Sequence, residues 1–87
     1  MANRNIIRKL FNSYDDDELY WAMYNSYDVI VNKIDAREIM ISDVEYFVHD
    51  VDDAITVSII DTLIVYFEDL EEYEMCAELL IERKTYE

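Results

Sequence analysis

Eighty-seven residues with a formal net charge of −14 and 53% hydrophobic content describe one domain at most, with a packed core rather than a disordered chain. Gly and Pro are absent and there is one Cys, which excludes glycine-built phosphate loops and an internal disulfide. The negative charge argues against direct binding to nucleic acid or to anionic membranes, both of which are negative themselves.

Without Gly and Pro, turns fall to Asn, Asp and Ser, which suits helix–helix connections better than hairpins of strands. In chain order, Asn5–Phe11 reads as a short helix with Ile6, Ile7, Leu10 and Phe11 on one side. Asp15-Asp-Asp-Glu18 is a helix start, with Asp15 as cap and Glu18 at the third position of a capping box. The helix it opens is expected to run to about Lys33, with Leu19, Tyr20, Met23, Tyr27, Ile30 and Ile34 inward and Trp21 off that face.

Asp35-Ala-Arg-Glu38 and Ser42-Asp-Val-Glu45 repeat the capping-box pattern. The first opens a turn or short helix. The second opens a helix with Val44, Phe47, Val48 and Val51 inward and Tyr46 and His49 pointing elsewhere. Asp52 or Asp53 then caps a longer segment. Ala54–Phe67 is rich in Ile, Val and Thr, a strand composition, but Ile59, Ile60, Leu63, Ile64 and Phe67 recur at helical spacing, so helix is predicted. A last helix covers Glu71–Lys84, with Tyr73, Cys76, Ala77 and Leu80 as its inner stripe and Arg83 and Lys84 at its negative end. The expected architecture is all-α, a small four- or five-helix bundle over residues 1–87.

The charge is not spread evenly. The first 37 residues set five bases against six acids, whereas Glu38–Glu82 carries fourteen carboxylates and no Lys or Arg. Helices usually interleave Lys with Glu, because i,i+4 pairs are mildly stabilising. Here Glu71, Glu72, Glu74, Glu78 and Glu82 give one charge per about 3.3 Å of helix, close to the spacing along one DNA strand, about 3.4 Å. The alternative is a solvated helix face. Glu38, Asp43, Glu45, Asp52 and Asp53 are accounted for as helix caps.

Other chemistry is thin. The Asp15–Glu18 run, and Asp50, Asp52 and Asp53 beside His49, lack the ligand spacing and turn Gly of a calcium loop, so no metal or other cofactor is expected. His49 has no nucleophile at a recognisable spacing and reads as a lone surface histidine, so no catalytic residue is assigned. Cys76, inward among carboxylates, reads as inert, and one cysteine suits a reducing cytoplasm. No apolar run reaches the length of a signal peptide or a membrane span. Trp21 and Tyr46 are candidate interface aromatics; the competing reading is cover by another helix.

The acidic block, free of bases on a small chain without Gly or Pro, resembles the nucleic-acid-mimicking inhibitors that phages make against restriction and CRISPR enzymes. The resemblance is one of composition, and it implies a non-enzymatic protein that docks on a basic, nucleic-acid-binding partner in the host cytoplasm. Tyr73-Glu-Met-Cys-Ala-Glu-Leu79 resembles the core of the UVR helical hairpin, a protein-docking element, with Leu80 where that motif has Arg and Cys76 where it has a small residue. It implies a hairpin between about Ile59 and Lys84. The candidate partner-binding residues are Glu68, Asp69, Glu71, Glu72, Glu74, Glu78 and Glu82, then Asp50, Asp52 and Asp53, with Trp21 and Tyr46. The second reading is a structural or adaptor module, such as a virion component or a subunit-docking hairpin, binding through an apolar and aromatic patch. A third is a small metal-dependent enzyme. The partner's identity and the oligomeric state stay open.

Overall fold

In a computed structural model, residues 14–40, 47–49 and 54–87 are described. They form four helices, α1 (Asp16–Ile30), α2 (Ala36–Met40), α3 (Val57–Asp69) and α4 (Tyr73–Tyr86), and no strand. The expected Asn5–Phe11 helix lies outside the described residues, as do Tyr46, Asp50, Asp52 and Asp53.

α1 starts as its sequence dictates. The Asp15 carboxylate accepts from the Glu18 amide at 2.8 Å, and Glu18 returns the contact by accepting from the Asp15 amide at 2.9 Å. These bonds satisfy donors that a helix start leaves open. Of the residues expected inward, Leu19, Met23, Tyr27 and Ile30 are buried while Tyr20 and Ile34 are half-buried, and Ala22, Asn25 and Ser26 are buried as well. α1 ends at Ile30, three residues before the expected limit. Lys33 takes the left-handed conformation (φ 57°), and the Ile34 amide donates to the Asp28 carbonyl at 3.2 Å. Asp35 then caps the short α2 by accepting from the Arg37 amide at 2.9 Å.

Two expectations fail next. Phe47–His49 is irregular backbone rather than helix. It is tied to α1 instead: the Tyr14 hydroxyl donates to the Phe47 carbonyl at 3.3 Å, and the Val48 amide donates to the buried Ser26 Oγ at 3.0 Å. Nor does Asp52 or Asp53 cap α3. Thr56 does, its hydroxyl accepting from the Ile59 amide at 3.3 Å.

α3 is helical despite its β-branched residues. Ile60, Leu63, Tyr66 and Phe67 fall on one side and are buried there, and that burial outweighs a propensity difference of a few tenths of a kcal/mol per residue. α3 and α4 form the most extensively packed helix pair, and α1 lies against both. The two are antiparallel: Cys76 Sγ meets the Ile64 carbonyl at 3.6 Å, and Arg83, further along α4, meets Asp61, earlier in α3. The expected hairpin is present, over Val57–Tyr86.

Its turn is a Schellman motif built without glycine. The Glu72 amide donates to the Phe67 carbonyl at 2.9 Å and the Glu71 amide to the Glu68 carbonyl at 3.0 Å, with Glu71 at φ 62°. The buried core is Leu19, Ala22, Met23, Tyr27, Ile30, Val48, Ile60, Leu63, Tyr66, Phe67, Cys76 and Leu79. No helix of the described residues is long and apolar enough to cross a membrane.

Candidate protein-docking face

The α3–α4 turn concentrates charge. Glu68 ends the exposed side of α3, Glu71 and Glu72 occupy the turn, and Glu74 opens α4. All four are exposed, and Asp69 beside them is half-buried. Glu71, Glu72, Tyr73 and Glu74 line an open depression of about 450 Å³. Glu78 is also exposed, one turn further along α4.

The even row expected on the last helix does not survive. α4 begins at Tyr73, so Glu71 and Glu72 precede it and do not follow its helical spacing. Glu82 is half-buried and is held by Lys33 Nζ at 2.6 Å, which also donates to the Ile30 carbonyl at 2.7 Å. What remains exposed is a cluster around the turn plus Glu78, not a line of five. Asp61 is likewise compensated, by Arg83 Nε at 2.7 Å, and Arg83 reaches Glu87 as well. The bond to Asp61 holds the Arg83 guanidinium more firmly protonated than usual.

Of the inner stripe expected on α4, Cys76 alone is buried. Cys76 and Leu79 are buried, while Tyr73, Leu80 and Ile81 are 62%, 52% and 62% exposed and Ala77 is exposed too. The α4 sequence carries apolar residues on two adjacent sides, and periodicity alone cannot tell which one meets α3.

Trp21 is 46% exposed, on the side of α1 that the spacing predicts. Its ring lies 5.7 Å from that of Tyr20 and 6.2 Å from that of Tyr24. Ring contacts continue from Tyr24 to Tyr27 at 6.1 Å and from Tyr27 to Phe67 at 5.9 Å, so the exposed indole is rooted in the core.

His49 is not the lone surface histidine expected. It is half-buried, its Nδ1 is 2.7 Å from Ser26 Oγ, and its ring meets Phe47 edge-on at 5.5 Å. A Ser–His contact can mark a nucleophile, but Ser26 is fully buried and also accepts from the Val48 amide, so no substrate reaches its oxygen. The pair pins the Phe47–His49 segment to α1. No sequence spacing signalled it, because the two residues are 23 positions apart.

Burial, with Glu68 and Glu72 nearby, pushes the Cys76 thiol up from its ordinary pKa, the inert state expected of it. Burial also pushes the Tyr27 hydroxyl up, helped by Glu78, Tyr24 and Asp28. Among the described residues no group of three or more His, Cys, Asp or Glu side chains is arranged to hold a metal ion.

Comparison with protein families, curated proteins and solved structures gives no match to this chain.

Proposed function

We propose that this chain is a non-enzymatic acidic binding protein, a small helical bundle that docks on a basic protein surface and blocks nucleic-acid access there, as a phage inhibitor of a host defence or nucleic-acid enzyme would. The observation that carries this reading is the exposed cluster Glu68, Glu71, Glu72, Glu74 and Glu78, which no Lys or Arg pairs with among the described residues. Lys33 and Arg83 pair with acids elsewhere, at Glu82 and Asp61. Arg-rich surfaces suit it, since guanidinium pairs with carboxylate and stacks on rings such as Tyr73 and Trp21.

A host-lysate protein captured on the tagged chain at low salt and released at high salt would be the partner. Glu71→Lys with Glu78→Lys should weaken that complex by about tenfold or more, and the affinity should fall steeply with ionic strength. A complex indifferent to both would refute the reading. The second reading, an adaptor that binds through apolar contacts, is favoured by the exposed Tyr73, Leu80 and Ile81. It predicts the reverse pattern: tolerance of charge reversal and loss of the partner on Leu80→Asp.

A further inference from the structure

α4 is apolar over a wider arc than its neighbours cover. At 100° per residue, Tyr73, Ala77, Leu80 and Lys84 fall within a strip about 60° wide, centred about 100° round the helix from the buried side that holds Cys76 and Leu79. Ile81 flanks the strip, and all five residues are exposed. The strip advances by four, three and four residues, the spacing of a two-helix coiled-coil seam.

We propose that this strip is the seam of a symmetric antiparallel dimer, in which α4 packs against α4 of a second copy. Charge selects both occupant and orientation. The strip ends at Lys84, which no ion pair engages among the described residues, and Glu74 flanks its other end. With the two-fold axis between Ala77 and Leu80, Tyr73 of one copy faces Lys84 of the other. Glu74 then lies within reach of that ammonium, and the lysine stem lies along the Tyr73 ring. Ala77 faces Leu80, small against large. Symmetry makes each contact twice.

A parallel pair would set Lys84 against Lys84 and Glu74 against Glu74. A lysine at one seam position therefore fixes orientation, as buried polar residues do in coiled coils. So short a seam covers less than the roughly 800 Å² per partner of a standard interface, and the charge of −14 on each copy opposes association. The dimer is accordingly weak and forms at high chain concentration. It does not depend on the docking function and is measured without any partner.

The test is sedimentation of the isolated chain from about 5 to about 500 µM in about 150 mM salt, with helix content checked by circular dichroism. The expected result is a shift from monomer to dimer across that range. Leu80→Glu should move the midpoint up by at least about tenfold, and Lys84→Glu should weaken the dimer by several-fold. Adding Glu74→Lys to Lys84→Glu should restore it. Adding Glu38→Lys instead, which gives the same net charge at a distance from the seam, should not. A chain monomeric to about 500 µM, a dimer indifferent to Leu80→Glu, or equal rescue by both second substitutions would overturn the proposal.

Discussion

Glu71 sits at φ 62° in a turn where most proteins place glycine. The left-handed conformation costs a non-glycine residue about 1–2 kcal/mol, of which glycine gives back part through its freer unfolded chain. Glu71→Gly should therefore raise stability by about 0.5–1 kcal/mol, seen as a higher urea midpoint at unchanged m-value. An unchanged midpoint would mean that the turn holds no strain. Cys76 and Tyr27 each contribute to a loss of stability at alkaline pH. Both have folded pKa values above their ordinary ones, so the protonated forms are favoured in the fold. Their contribution is complete below the ordinary values, about 8.5 and 10, and is lost as pH rises through the folded ones. Stability should thus decline from about pH 8.5 upward, and the decline should be shallower in Cys76→Ala and Tyr27→Phe.

At the scale of elements, the Phe47–His49 segment depends on Ser26. Ser26→Ala would leave the buried Val48 amide without its acceptor, at a cost of about 1–3 kcal/mol. Hydrogen exchange at Val48 should accelerate, while the amides of α3 and α4 should respond only through the global loss of stability. Helix starts were the most legible part of the chain, because a cap is a local device: Asp15 and Glu18 act three residues apart. Helix identity for α3 was legible too, since Ile60, Leu63 and Phe67 keep one period. The buried side of α4 was not. Tyr73, Ala77 and Leu80 are as apolar as the residues that are buried, and the choice between faces is made by the turn at Glu71 and by α3. Glu82 was misjudged for a related reason. Its partner Lys33 lies 49 residues away, far outside any local pairing rule. The acidic cluster around the turn was legible as composition, but its shape depends on where α4 begins.

For the whole molecule, the balance of charge decides how salt acts. Among the described residues two ion pairs join separate helices or their ends, Lys33–Glu82 and Arg83–Asp61, and exposed pairs of this kind contribute about 0–1 kcal/mol each. Against them stands a net charge of −14 on eighty-seven residues. Raising ionic strength from about 10 to about 150 mM shortens the screening length from about 30 to about 8 Å, which relieves long-range repulsion more than it weakens contact pairs. The melting temperature should rise over that interval, and a fall would show that the pairs outweigh the repulsion. The aromatic run on α1 has an optical consequence. Trp21 is the one tryptophan, half in water, with tyrosine rings leading from it to Phe67 in the core. Light absorbed by those tyrosines is re-emitted by the indole only while the rings stay close, and the colour of that emission follows the wetting of the indole itself. The chain thus carries an unlabelled fluorophore that reports on anything that settles over its exposed side.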